Sequence, residues 1–295
     1  MVDPAKTLKE MSPSKGFFIG IDSDGCAFDT MEIKQKECFC PNFVMHFGLQ
    51  AVSKYAREAW EFVNLYSKDR GCNRFVAIIH TMDLLRERPE VKARGVSVPM
   101  MNGLREWMKR ETKLGNPALK AELERTGDPD LRRAYEYSVE ANATVERIVK
   151  GVPPFPHVRE SLARMEDAAD VIVVSQTPGE ALAREWKEHG IDGRVRAIAG
   201  QEMGTKAQHI TYAAEGKYPA HRILMIGDAP GDYQAAKANK ACFFPIVPGH
   251  EEKSWERFHA EGLERFLAET YTGDYERKLT EEFDASLPEK PHWRS

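Results

Sequence analysis

Short apolar runs that stop abruptly at polar residues punctuate two separate stretches of this chain. Phe17-Phe18-Ile19-Gly20-Ile21 gives way at once to Asp22-Ser23-Asp24-Gly25, the pattern of a strand buried on both faces that ends at a polar sheet edge. Val171 to Val174, Ile223 to Ile226 and Ala241 to Pro245 repeat the pattern, and Arg196-Ala197-Ile198 predicts a weaker strand. Helical spacing fills the gaps over Val158 to Ala168, Glu180 to His189, Lys206 to Glu215 and Asp232 to Asn239, with Gly190 and Gly216 as stops. Strand and helix alternate, which predicts an α/β fold: a parallel sheet covered by helices.

Between the first strand and the others the pattern changes. From about Ile33 to Lys150 the apolar positions recur with a period near 3.6 and little reads as strand. Val52, Tyr55, Ala59, Phe62, Val63 and Tyr66 predict one helix face; Phe75, Ile78, Ile79, Met82 and Leu85 a second; Leu131, Tyr135, Val139, Val145 and Ile148 a third. These stripes read as core. Gly151-Val152-Pro153-Pro154-Phe155-Pro156 ends the helical stretch, because proline cannot continue a helix, and makes a hinge. The expected organisation is therefore a core formed by 1–32 and 151–250, an α-helical insert over 33–150, and a C-terminal helical extension over 251–295 packed on the core. In that extension Trp255, Phe258, Leu263, Phe266, Leu267 and Tyr271 read as one amphipathic helix, followed by a polar end.

Composition narrows the functions. Among 295 residues, 42 Lys and Arg face 46 Asp and Glu, a formal charge of -4, so no basic surplus exists to neutralise a nucleic acid. No apolar run approaches the length of a membrane span, and Met1 to Lys15 lacks the basic and then apolar progression of a secretory signal. Five scattered cysteines, an odd number, fit reduced thiols. A cytoplasmic protein with no nucleic-acid and no membrane partner is the expectation. Nothing in the sequence indicates an oligomeric state.

The candidate chemistry sits at the predicted strand ends, where open α/β sheets bind ligands. Asp22 and Asp24 follow the first strand two positions apart. Carboxylates so close repel unless a cation lies between them, and hard oxygen ligands suit magnesium; one can then attack phosphorus while the other manages protons. A strand-end turn is the alternative. Asp128-Pro129-Asp130 has the same spacing but follows Thr126-Gly127 and opens a helix, so it reads as a cap. After the run Ile223 to Ile226 come Gly227, Asp228 and, four further on, Asp232. Gly227 lets the backbone approach a ligand closely, and the two aspartates can support a metal or cap the next helix. Ser175 follows Val174, and its hydroxyl suits either a phosphate oxygen or a helix cap. Lys206 opens a helix, the unfavourable end of the macrodipole for a cation, unless an anionic site offsets it; a solvated surface lysine is the alternative.

Taken in order, the aspartate pair, the hydroxyl, the lysine and the second aspartate pair resemble the haloacid dehalogenase superfamily of aspartate-nucleophile hydrolases. The resemblance implies a Rossmann-like sheet with helices on both faces, with Asp22 as nucleophile and Asp24 as general acid and base. Ser175 would bind the phosphoryl group, and Lys206 would bridge it to the nucleophile. It further implies a magnesium ion held by Asp22, Asp24 and Asp228 with Asp232 beside it. Cys26 departs mildly from the Thr or Val usual near that position. Asp22 and Ser175 lie 153 positions apart but Ser175 and Lys206 only 31, so the insert corresponds to a helical cap between the first and second motifs. The presence of Asp24 is similar to the phosphatases and phosphomutases of the superfamily, since loss of an alcohol needs a proton donor, and hydrolases are the commoner of the two there. The expected function is thus removal of phosphate from a small phosphorylated metabolite; a phosphomutase acting on a sugar phosphate and a non-catalytic ligand-binding protein are the alternatives. Cys38-Phe39-Cys40 lacks the further ligands of a zinc site, His46 and His80 read as structural, and Lys68, Arg70, Asn73 and Arg74 read as a solvated loop, with contact to an anionic substrate as the alternative.

Overall fold

The structure, a computed structural model, describes residues 3–294. Five strands form one sheet: β1 Phe17–Ile21, β2 Ala169–Val174, β3 Ala197–Ala199, β4 Ile223–Gly227 and β5 Cys242–Pro245. Their order is β3-β2-β1-β4-β5 and every pair is parallel. The fold class is the α/β architecture expected from the sequence. The order runs outward from β1 in both directions, which makes the boundary of β1 and β4 a topological switch point, where a crevice opens at the carboxyl ends of the strands.

The strands read as continuous apolar runs because both faces are covered. Ile19, Ile21, Val171, Val173, Leu224 and Ile226 point to one side, among Leu162, Met165, Trp186, Trp255 and Phe258. Phe18, Ile172, Val174, Met225 and Phe243 point to the other, among Ile210, Ala213, Ala235, Ala236 and Phe283. Each fully buried large aliphatic or aromatic side chain contributes roughly 1.5–3 kcal/mol of transfer free energy, so the sheet is the rigid platform of this unit. Gly20, in the central strand, has no room for more: a Cβ there would lie 3.0 Å from Val174 and 3.2 Å from Met225.

The chain divides into two compact units. The first comprises residues up to Thr30 and Gly151–Leu287. Its C-terminal part departs from the single helix expected. The helices Glu251–Arg257 and Leu263–Leu267 are joined by a π-helical turn, Phe258–Gly262. Gly262 sits in that turn against Phe244, 2.8 Å from where its Cβ would be. A further helix, Asp274–Ser286, occupies the stretch read as a polar end, because Leu279 and Phe283 give it a buried edge.

The second unit comprises Met31–Lys150 together with the described residues from Pro288 onward. The whole of 251–295 was expected on the core. Instead Trp293 packs in the helical unit, its ring 4.4 Å from the Arg88 guanidinium and 5.8 Å from the Phe62 ring. The face of the helix Pro129–Ile148 also differs from expectation. Leu131, Ala134, Tyr137, Ser138, Ala141 and Thr144 are buried, whereas Val139 and Ile148 are exposed. The buried face mixes the large Leu131 and Tyr137 with the small Ala134, Ser138, Ala141 and Thr144. Asp128 caps the same helix, accepting from the amides of Asp130 at 2.8 Å and Leu131 at 3.1 Å, as its setting predicted.

The loop around Arg70 is built into the unit. Arg70 is buried and donates to the Leu65 carbonyl at 2.9 Å; Asn73 caps the helix Arg74–Glu87; Arg74 lies over the Phe39 ring and donates to Asn142 at 2.6 Å. His46 pairs with Glu140 at 3.1 Å and His80 with Asp69 at 2.8 Å. Cys38 and Cys40 are buried free thiols, and burial pushes Cys40 up to about 12. Among the described residues no helix is long and apolar enough to cross a membrane.

Candidate active site

The site grows from the end of β1. The amide of Asp22 donates to the Ile226 carbonyl at 3.0 Å, so the ladder with β4 holds one residue past the strand and fixes the Asp22 backbone. The chain then turns sharply. Gly25 takes a φ of 76°, a left-handed conformation that costs glycine little. The Ser23 carbonyl gathers the amides of Cys26, Ala27 and Phe28 at 3.3, 2.9 and 3.0 Å.

At the neighbouring strand end, β4 delivers Asp228 and then the helix Pro230–Ala238, whose first turn carries Asp232. The Asp232 carboxylate accepts from the Ala229 amide at 3.1 Å. A Cβ on Gly227 would fall 2.3 Å from the Asp232 side chain. The glycine is needed for that close approach, and the approach is to Asp232 where the sequence had suggested a ligand.

Lys206 stands at the start of the helix Lys206–Ala214, which packs on the same face of the sheet as Pro230–Ala238. Thr205 and Gln208 cap that helix reciprocally, the Gln208 amide donating to the Thr205 hydroxyl at 3.3 Å and the Thr205 amide to Gln208 Oε1 at 2.9 Å. Lys206 Nζ donates to Asp22 Oδ2 and to Asp232 Oδ1, each at 2.6 Å. Oxygens of Asp22, Asp228 and Asp232, all buried, lie within 4.8 Å of one another. The cation at the unfavourable end of a helix is thus matched by buried anions.

Three carboxylates against one ammonium leave the cluster short of positive charge. Burial raises Asp22 to about 7, with Lys206 pulling it down and Asp232 pushing it up. Asp232 is raised too, again chiefly by burial. Lys206 is held above its ordinary value by Asp22, Asp232 and Asp228, against the effect of burial. A hard divalent cation fits this donor set: all-oxygen, anionic, converging, and under-compensated by the protein itself.

Asp24 behaves differently from the expectation that its side chain joins the metal set. Its carboxylate lies outside the group of three. Thr177 Oγ1 donates to Asp24 Oδ2 at 2.7 Å, and the Thr30 hydroxyl donates to Asp24 Oδ1. Through Thr177 the Asp24 side chain is tied to the loop that follows β2. Neither threonine was singled out for such a role in the sequence; the signal lay in their hydroxyls standing near predicted site residues, Thr177 two places after Ser175 and Thr30 six after Asp24.

Ser175 stands one residue past β2, which pairs with β1 in the register Ile21↔Val173. Its amide donates to the Ala199 carbonyl at 3.0 Å, and its hydroxyl accepts from the Thr177 amide at 3.2 Å. This loop is stitched to the one leading to Lys206. Gln176 donates to the Gly204 carbonyl at 3.0 Å, Gln201 to the Thr177 carbonyl at 3.1 Å, and Gly179 to the Glu202 carboxylate at 3.0 Å. Asp22, Lys206, Asp228 and Asp232 therefore share one cluster, while Ser175 and Asp24 stand at the adjoining strand end, linked through Thr177.

The architecture defines the class: a Rossmann-like parallel sheet with a large helical region inserted after β1 and acidic residues at its switch point. No family model matches the chain, and no curated protein matches it. Solved structures do. The chain is similar to a haloacid dehalogenase-like family hydrolase from Streptococcus pneumoniae at 14% identity and a TM-score of 0.47, over 83% of this chain and 91% of that one. A provisionally named phosphoglycolate phosphatase from Lactobacillus delbrueckii subsp. bulgaricus has 16% identity and a TM-score of 0.49, over 86% and 98%. A predicted phosphatase from Clostridium acetobutylicum has 14% identity and a TM-score of 0.44, over 85% and 100%. At such identities the reading of activity rests on this chain's own residues.

Proposed function

We propose that this chain is a magnesium-dependent phosphohydrolase that removes phosphate from a small phosphomonoester through an aspartyl-phosphate on Asp22. One observation carries the reading: the Lys206 ammonium, 2.6 Å from both Asp22 and Asp232, inside a group of three buried carboxylates. Such an arrangement holds the Asp22 oxygen fixed and partly neutralised at a strand end that opens on a ligand crevice.

Asp22 attacks phosphorus as the bond to the leaving alcohol oxygen breaks, and Asp24 gives that oxygen its proton. Asp24, now ionised and oriented by the Thr30 and Thr177 hydroxyls, takes a proton from water as the water attacks the phosphoryl group. Inorganic phosphate leaves and Asp22 is restored. Lys206 offsets the charge on the transferring group, and the Ser175 hydroxyl binds one of its oxygens. Asp22, Asp228 and Asp232 would hold the magnesium ion, which would supply further neutralisation of negative charge when bound.

The test is release of inorganic phosphate from a panel of small phosphomonoesters with magnesium, repeated with a chelator. Release that needs magnesium supports the reading. Transfer of phosphate between hydroxyls of a sugar phosphate with little release would replace hydrolase by mutase, and binding without turnover would replace both.

A further inference from the structure

Two tryptophans far apart in sequence end on the same short loop. Trp186, on the helix Gly179–Glu188, donates its indole N–H to the Ser23 hydroxyl at 3.0 Å. That hydroxyl passes its own proton on to Glu185 Oε2 at 3.2 Å. Trp255, on the helix Glu251–Arg257, donates to the Cys26 carbonyl at 2.7 Å. Both rings are fully buried. The loop they hold, Ser23 to Phe28, runs out of β1 and carries Asp24 two positions after the nucleophile position.

A buried indole needs some acceptor, and any core carbonyl would serve. Here two indoles from different helices both choose a loop outside the sheet ladder. A further fastening is the Phe155 amide, which donates to the Ala27 carbonyl at 3.0 Å from between Pro154 and Pro156. We propose that Trp186 and Trp255 are positioning residues: their N–H groups clamp the Ser23–Phe28 loop and so fix the angle between Asp22 and Asp24. The claim rests on the phosphohydrolase reading for its catalytic consequence, though not for the clamp itself.

The experiment pairs kinetics with amide hydrogen exchange on Trp186→Phe and Trp255→Phe, which keep a ring and remove the donor. Each variant should lose about tenfold in kcat with KM changed less than about twofold, the signature of a misaligned reacting group. The amides of Cys26, Ala27 and Phe28 should exchange roughly tenfold faster, with those of β4 unchanged. Ser23→Ala, a smaller change that strips Trp186 of its acceptor, should give the same local signature, and adding it to Trp186→Phe should cost no more than the worse single change. Unchanged exchange in the loop overturns the clamp, as does acceleration spread evenly over the sheet, which marks a purely structural role. If the wild-type chain releases phosphate from no ester, the hydrolase reading fails, and loop exchange alone then decides the clamp.

Discussion

Two stretches of this chain read Asp-x-Asp, and they do opposite things. Asp128 and Asp130 spend their carboxylates on backbone amides. Asp128 caps a helix, and Asp130 accepts from the Gly103 amide at 3.0 Å. Asp22, in contrast, meets the Lys206 ammonium and two further buried carboxylates. The residue types and spacing are the same, so the difference comes from what precedes them. A turn and a helix start surround one pair with unpaired N–H donors; a buried parallel strand delivers the other to a switch point where charges from β4 and a distant helix converge. Setting decides the chemistry.

Substitutions can break this comparison in order of size. Asp22→Asn should lower phosphate release by roughly a thousandfold or more, since an amide cannot act as the nucleophile. The amount of folded protein should not fall, because a buried charge is being removed. Equal activity in the variant and wild type would remove Asp22 from the chemistry.

Lys206→Met leaves buried carboxylates without their ammonium. It should cost about 3–5 kcal/mol in chemical denaturation of the metal-free protein, as the loss of one partner of a buried ion pair does, and magnesium should restore part of that. No change in stability would mean that the cluster is not held together by charge.

Acid should destabilise the site region through a buried histidine. His209, buried three residues after Lys206, is pushed down to about 4 from its ordinary 6.5, chiefly by burial. The unfolded chain takes up a proton below pH 6.5 while the folded one does not. The stability this neutral ring contributes is therefore whole above pH 6.5 and lost as pH falls towards 4, by up to about 3 kcal/mol. His209→Gln should flatten that part of the pH–stability curve, measured by denaturant midpoint; an unchanged curve would place the acid sensitivity elsewhere. Asp170 follows in a lower window. Burial works against its charge, but hydrogen bonds from Ser14 and Tyr218 win and lower it to about 2, so its contribution fades only below the ordinary carboxylate range. The smallest effect belongs to the other pair: Asp128→Ala should cost about 1 kcal/mol of stability, the usual worth of a helix cap, and leave phosphate release unchanged.

Much of the core was legible along the chain. A strand buried on both faces must be apolar throughout, so β1 and β4 announced themselves almost to the residue, as did the alternation with helices. Even the short β3 showed, one residue displaced, as the weaker run Arg196-Ala197-Ile198; the π-helical turn at Phe258–Gly262 did not, because it answers to packing partners and to no local period. The helix Pro129–Ile148 was legible only in part: Leu131 is buried as expected, but Tyr137 and the small Ala134, Ser138, Ala141 and Thr144 share its buried face, and a search for large apolar side chains passes over the small ones.

In the site, the acidic and basic side chains stood out because strand ends in this architecture collect ligands. What stayed hidden were the residues that aim them. Thr177 reaches Asp24 across 153 positions, and Trp255 reaches Cys26 across 229; no spacing rule connects residues so far apart. The close fit of Gly227 to Asp232 was hidden too, since a glycine before an acidic turn suits a ligand as well as a neighbouring side chain.

The central claim is that Asp22 itself carries the phosphoryl group. The direct measurement is mass spectrometry of the chain quenched in acid during turnover of a phosphomonoester with magnesium, followed by proteolysis. The account predicts one phosphate's mass on the peptide containing Asp22, absent in Asp22→Asn and absent without substrate. Turnover with no phosphate on that peptide, or with phosphate on another residue, would contradict it.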